Sequence, residues 1–346
     1  MKKIITLLLV TMISISLVGC TKDEESDKYK VAVLYTSYLG DLSWNDSAHA
    51  GMERALAEFP DIEVKEFESS VAAEWDANAV AAAEDGYDLI VGVAWQFADI
   101  FNALVDDYPD TNFAVMDGVM EDKPNTMSAI FAQNEGSFLA GAAATMFTTR
   151  TEIPGINEEV TIGWVGGMTI PVLEDFFTGF TAGAQYIDPD VVILQSYVGA
   201  WGDPVGGLET TKTMYSQGAD IVMNVASGTG IGVLEAAAQE GKYAIGVDGN
   251  QDHLQPGSVL TSMLKRVDVG VYTAIANSYE GNFISGINYF DTSNGGVGLT
   301  DMSIMKEALG DLFPQDILDE IIRLTEAIIS GEIVVPNYEG FGNPNS

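Results

Sequence analysis

The chain has 346 residues, 51 of them acidic and 15 basic, for a formal net charge of −36. A surface this acidic repels phosphate backbones and anionic headgroups, so nucleic acid is a poor partner, and so is anionic lipid approached through the protein surface. One cysteine, Cys20, excludes an intrachain disulfide and a thiolate metal site, while the length suits two domains of ordinary size.

Residues 1–20 read as a secretory leader. Lys2 and Lys3 precede an apolar run from Ile4 to Ile15, too short to cross a bilayer, which takes about 20 apolar residues. "LVGC", ending at Cys20, resembles a bacterial lipobox, in which cleavage leaves a diacylglyceryl cysteine as the first mature residue; the competing reading is a stray thiol in the leader. Each buried methylene of an acyl chain contributes roughly 0.8 kcal/mol. The expectation is therefore a lipid anchor at Cys20 holding the chain on the extracytoplasmic face of the cell membrane, with 21–28 as a solvated tether.

From there, short apolar runs alternate with longer amphipathic ones. "VAVLYTS" leads to "NDSAHAGMERALAEF", "VKEFES", "WDANAVAAAEDG", "DLIVGVA", "QFADIFNALVDDY", "NFAVMDG" and "MSAIFA". The second half repeats the order with "VTIGWVGG", "PVLEDFFTGFTAGAQYI", "VVILQSYVG", "DPVGGLETTKTMYSQG", "DIVMNVA", "GIGVLEAAAQEG" and "YAIGVDG". Strands alternating with helices predict parallel sheets covered on both faces. "DGYDLIVGVA" at 85–94 matches "QGADIVMNVA" at 217–226, and "AVMDG", ending at Gly118, matches "IGVDG", ending at Gly249. A repeat of this length predicts an α/β chain of two doubly wound, Rossmann-like lobes with a ligand cleft between them.

Open parallel sheets place ligands beyond the carboxyl ends of their strands, which directs attention to loops at 37–45, 94–97, 167–171, 199–204 and 227–230. "LGDLSWNDSAHAGM" (39–52) sets a lone aromatic, Trp44, among polar residues that include Asp41 and Asn45. Trp201, in "VGAWGDP", is its counterpart in the second half. Each indole either packs inside its lobe or stacks on a planar ligand; Trp75 and Trp164, in helix- and strand-like runs, read as packing. Asp117 and Asp248 end matching strands just before a glycine, where an aspartate either caps the next helix or accepts two hydroxyls. Lys265 follows another strand-like run, either at the ligand or neutralising carboxylates. "SGTGIG" (227–232), with Gly228 and Gly230, brings backbone N–H groups to a helix start but lacks the lysine of a phosphate loop. His49 and His253 have no metal spacing, and the chain carries no nucleophile elbow. The reading is of a binding protein without catalytic residues, metal or cofactor.

Taken in order, "DLSWN", "MDG", "NEGSFLAGAAA", "IGWVGGMTIPV", "VGAWGDP", "SGTGIGV", "GVDGNQ" and "LTSMLKRVDV" resemble the basic membrane protein family of bacterial lipoproteins, which includes purine nucleoside receptors. The resemblance spans the mature chain and implies the type I periplasmic-binding-protein fold, with three crossings between lobes. The first lobe would take 29–132 plus about 257–287, and the second 133–256 plus about 288–346. The chain would return through "VDVGVYTAIANSYEG" and cross last at "GGVGLTDM". The resemblance further implies the substrate-binding subunit of an ABC importer, with permease and ATPase partners. In it Trp44 and Trp201 stack on a purine, Asp41 and Asn45 read polar edges, and Asp117, Asp248 and Lys265 hold ribose hydroxyls, while Gly228 and Gly230 let the backbone approach. The family's nucleoside receptors usually carry phenylalanine where Trp44 stands, which leaves a nucleobase or flavin-like heterocycle open as ligand. A signalling lipoprotein of the same fold is the other alternative.

Overall fold

The computed structural model describes residues 28–339; the leader, Cys20 and nearly all of the tether lie outside the described residues. The first half runs β1 (Tyr29–Tyr35), α1 (Trp44–Glu58), β2 (Ile62–Glu68), α2 (Ala72–Glu84), β3 (Leu89–Gly92), α3 (Phe97–Asn102), β4 (Asn112–Met116) and β5 (Thr126–Phe131). The second runs α4 (Gln133–Thr148), β6 (Thr161–Gly166), α5 (Pro171–Ile187), β7 (Val192–Tyr197), α6 (Pro204–Ser216), β8 (Ile221–Val225), α7 (Gly230–Glu240), β9 (Tyr243–Asp248) and β10 (Val259–Lys265). The chain ends through α8 (Val267–Tyr279), β11 (Gly286–Phe290), β12 (Val297–Leu299), α9 (Ser303–Leu309) and α10 (Gln315–Ile329).

The internal repeat is visible in local geometry. Gly86 and Gly218 follow α2 and α6 in the left-handed region, at φ 69° and 100°. In each case the next residue's N–H reaches back five places, Tyr87 to the Ala82 carbonyl and Ala219 to the Met214 carbonyl. This glycine stop turns the chain sharply into a strand buried on both faces, β3 or β8.

The strands form two six-stranded sheets, ordered β11-β5-β4-β3-β1-β2 and β12-β10-β9-β8-β6-β7. All pairs are parallel except β12 against β10. The two-lobed α/β architecture expected from the repeat is what these sheets build. One boundary differs. Residues 257–265, expected with the first lobe, contain β10, which pairs along β9 in the second sheet. Val259–Met263 is fully buried there, so its apolar surface is satisfied before the chain leaves. The return begins at Arg266, and the last crossing occupies 291–296, after β11 has joined the first sheet.

The three crossings lie side by side. Ala132 N–H bonds the Phe290 carbonyl, and Arg266 N–H the Gly296 carbonyl, both at 2.9 Å. The helices entering each lobe dock in mirrored fashion: α8 packs on α1 and α4 on α5. Gly51 of α1 lies against the backbone of Asp268, the second residue of α8, and Gly179 of α5 against that of Asn134, the second residue of α4. A Cβ at either glycine would collide with main chain. Beyond them, α10 lays Ile317, Ile321, Leu324 and Ile328 into the second lobe, an apolar stripe at helical spacing.

Candidate ligand site between the lobes

The loop after β1 is folded around Asp41. Its Oδ1 accepts the N–H groups of Ser43 (3.0 Å) and Asp46 (3.1 Å), and its Oδ2 accepts Asn45 N–H at 3.0 Å. A carboxylate over the free N–H groups of a helix start satisfies donors with no intrahelical partner and complements the helix dipole. Asn45 closes the same loop, its Nδ2 donating to the Tyr38 carbonyl at 3.1 Å. Trp44, half-buried at the first position of α1, is pinned by its indole N–H on the Val93 carbonyl (3.0 Å).

Two aspartates face this loop from matching strand ends. Asp117 follows β4 at φ 59°, and Asp248 ends β9 at φ 63°. Leu42 and Ser227, on the loops between them, are also left-handed. Non-glycine residues rarely adopt this conformation, and where they do the surroundings must hold it. Asp117 Oδ2 accepts from Lys265 Nζ at 2.5 Å, while its Oδ1 is buried without a hydrogen-bond partner. Lys265 is 1 % exposed, and its ammonium lies 5.0 Å from the Trp44 ring, 5.1 Å from Phe176 and 5.5 Å from Phe131. A desolvated ammonium among aromatic faces gains from their quadrupoles but depends on its counter-charge.

Burial pushes the Asp117 carboxyl above the usual range, with Lys265 pulling it back. Burial raises Asp248 to about 6; the Ser43 hydroxyl and Lys265 oppose the shift, and Asp41 and Asp117 add to it. Asp175, in the first turns of α5, is also raised by burial, against hydrogen bonds from Tyr338 N–H and Gln133. Four ionisable groups thus share one enclosure of low polarity.

Hydrogen bonds stitch the lobes together across this region. The Ser43 hydroxyl donates to Asp248 Oδ2. The Ser227 hydroxyl donates to Asp41 Oδ2 at 2.8 Å, and Gln251 Nε2 to the Leu42 carbonyl at 2.8 Å. With the Lys265–Asp117 pair, each lobe contributes both donors and acceptors to the seam. An open groove of about 470 Å³ runs beside it, lined by Ser43, Asp46, Asp248, His253 and Arg266 among others, but not by Trp44, Asp117 or Lys265.

The candidates read from sequence fall into two groups. Asp41, Trp44, Asn45, Asp117, Asp248 and Lys265 gather at the seam. Trp201 sits on the second lobe's rim, 39 % exposed, with its indole over Gly167, and no ring contact joins it to Trp44 among the described residues. Gly228 lies beside the Trp201 carbonyl, and Gly230 is wedged against the buried Asn224 side chain, so packing within the lobe already demands a glycine there. Sequence reading passed over Ser43, Phe131, Gln133, Asp175, Phe176 and Gln251. Their signal was positional: Phe131 and Gln133 flank the first crossing, and Asp175 and Phe176 follow the 167–171 loop already counted as part of the cleft.

Comparison with known proteins agrees with the two-lobed fold. The model of the Bmp family, described as ABC transporter substrate-binding protein PnrA-like, matches residues 28–339. An uncharacterised lipoprotein of Pyrococcus abyssi (strain GE5 / Orsay) is 31 % identical, covering 96 % of this chain and 90 % of its own length. The ABC transporter nucleoside-binding protein BmpA of Lactococcus lactis subsp. cremoris (strain MG1363) is 29 % identical over 97 % of this chain and 99 % of its own. The crystal structure of an ABC transporter solute-binding protein from Aeropyrum pernix K1 superposes with a TM-score of 0.80 at 31 % identity, covering 89 % of this chain and 93 % of that one.

Proposed function

Because the chain belongs to the Bmp family of ABC transporter substrate-binding proteins, we propose that it captures a purine nucleoside between its lobes and presents it to a membrane permease driven by an ATPase. The observation that carries this reading is the buried Lys265–Asp117 pair beside Trp44, Phe131 and Phe176, with one Asp117 oxygen still free to accept. Such a site offers an aromatic wall for a flat base, and a carboxylate–ammonium pair for sugar hydroxyls, which donate to the first and accept from the second. The relative from Lactococcus lactis, named for nucleoside binding, supports the same class of ligand.

In this reading the lobes swing about the three adjacent crossings, and the seam bonds hold the closed form. Ligand shifts the balance toward closure by as much as it binds the closed arrangement better. The site binds without turnover: Asp117 is committed to Lys265 and Asp248 to Ser43, and neither is set up as an acid opposite a base. Cys20 carries the lipid anchor, a reading supported by the lipoprotein relative.

Calorimetric titration with guanosine, inosine, adenosine, their free bases and riboflavin tests the ligand class. Nucleosides should bind more tightly than their bases, with no free base released on incubation. Silence across the panel, or catalytic release of base, overturns the proposal. For the anchor, Cys20→Ser should release the protein from the membrane fraction into the medium.

A further inference from the structure

Gln133 is the first residue of α4, immediately past the first crossing, and it is fully buried. Its Nε2 donates to Asp175 Oδ2 at 2.6 Å. The other Asp175 oxygen accepts Tyr338 N–H at 2.9 Å, from a C-terminal strap that Asn134 Nδ2 also grips through the Val335 and Pro336 carbonyls. Asp175, 1 % exposed, thus has a donor on each of its two oxygens.

This arrangement decides which way the Gln133 amide faces. A carboxylate accepts and does not donate, so the NH₂ end must turn to Asp175 and the carbonyl end must point away. That carbonyl, Oε1, is buried and has no hydrogen-bond partner. The amide borders the Lys265 site, since Asp175, to which it is bonded, feels the charges of Lys265 and Asp117. Phe131, two residues back, faces the ammonium at 5.5 Å, Phe176, next to Asp175, faces it at 5.1 Å, and Asp117 Oδ1, beside that ammonium, is likewise a buried acceptor without a donor. Two buried acceptors without donors thus stand on opposite sides of the first crossing, each open to a hydroxyl hydrogen.

We propose that Gln133 is a further ligand-binding residue that selects for a sugar hydroxyl by accepting its hydrogen on Oε1, with Asp175 and the 335–338 strap as positioning elements. The inference rests on the nucleoside reading for the identity of the sugar, but not for the chemistry. An uncharged, orientation-locked acceptor discriminates against ligands lacking the hydroxyl, because the carbonyl would then be buried unpaired.

The test compares wild type with Gln133→Leu on a nucleoside, its 2′-, 3′- and 5′-deoxy analogues, and the free base, using calorimetry. Gln133→Leu should lose about tenfold or more in affinity for the nucleoside and nothing for the base. One deoxy analogue should bind both proteins equally, identifying the hydroxyl. Gln133→Met, nearly the same length, fills the same space and should show the same selective loss, because it has no carbonyl to offer. Asp175→Asn should blunt discrimination between nucleoside and deoxy analogue while leaving base affinity intact, which a merely structural role would not do. Equal losses for base and nucleoside, or no loss in Gln133→Leu, overturn the proposal. A wild type silent to every nucleoside would end the nucleoside reading alone. The same proteins are then compared on riboflavin and free pentoses, and the absence of any hydroxyl-bearing ligand that separates them overturns the Gln133 assignment too.

Discussion

Asp117 and Asp248 hold matching posts. Asp117 directly follows the fourth strand of its lobe and Asp248 ends the fourth strand of the other; each precedes a glycine, and both sit at nearly the same left-handed φ. Both reach across the seam, but to different partners: Asp117 takes the ammonium of Lys265, and Asp248 the hydroxyl of Ser43. The next strand carries the divergence further, since β5 ends in Phe131 where β10 ends in Lys265. Duplication has preserved the backbone device and diversified what it touches. One side of the cleft is held by a buried ion pair and the other by a neutral donor, and the two should respond differently to substitution.

The largest difference should come from Lys265→Met, which leaves the Asp117 carboxylate buried and unpaired. Removing one partner of a buried pair costs about 3–5 kcal/mol, so chemical denaturation should show a large drop in stability. Lys265→Met with Asp117→Leu should recover much of it. Among the described residues no salt bridge involves Asp248, and Ser43→Ala should lose far less.

Next in size is a pH effect at Asp248, on the side held by the neutral donor. Asp248 titrates near 6 in the folded protein and from an ordinary carboxylate value when unfolded. A raised folded value means the contribution is fully present below the unfolded value and is lost as pH rises through about 6. The stability of wild type relative to Asp248→Asn should therefore fall between pH 4 and 7, by up to about 3 kcal/mol. Nucleoside affinity, which needs the ionised acceptor, should rise over the same window. A flat difference would place Asp248 in a more polar setting than its burial suggests.

Asp248→Ala should weaken nucleoside binding by about 1.5–3 kcal/mol and leave the free base nearly untouched, since a lost charged acceptor matters only when hydroxyls are present. Equal losses would move Asp248 from the sugar to the base. The smallest contrast is between the tryptophans. Trp44→Ala should cost about 1–3 kcal/mol of binding, the range for base–aromatic stacking. Trp201, exposed on the rim, should cost less unless closure on the ligand brings it over the base. A loss at Trp201 equal to that at Trp44 would establish the sandwich.

The repeat was legible because β3 with β8, and β4 with β9, carry short apolar runs, the first pair behind a Gly-x-Asp and the second ahead of an Asp-Gly at equivalent places. The cluster at Trp44, Asp117, Asp248 and Lys265 was legible because every one stands at a strand end or on the loop that follows. Gln133 and Asp175 were not. Gln133 opens a helix among other polar residues and Asp175 stands in an apolar helix run, and their meaning lies in each other, 42 positions apart, and in a strap 163 positions beyond Asp175. Asp41 was half legible: short polar residues before a helix announce a cap, but not that the capping carboxylate also takes Ser227 from the other lobe. The placement of β10 escaped for a related reason, because an apolar run declares a strand without declaring its sheet.

The three crossings also dictate how this chain acquires its shape. The first sheet is finished by β11, and its apolar face is covered by Val271 and Ile275 of α8, and both segments follow all ten strands β1 to β10 in the chain. Until those segments emerge, β5 presents an open edge, and such edges invite wrong pairing. Neither lobe is a contiguous stretch, so a fragment ending before Gly286 should be unable to complete the first lobe. The two lobes of the whole protein should melt in a single cooperative transition instead of two. For a chain expected to be exported behind a leader, late commitment to the native state is an advantage, since it stays pliable until nearly all of it has been synthesised.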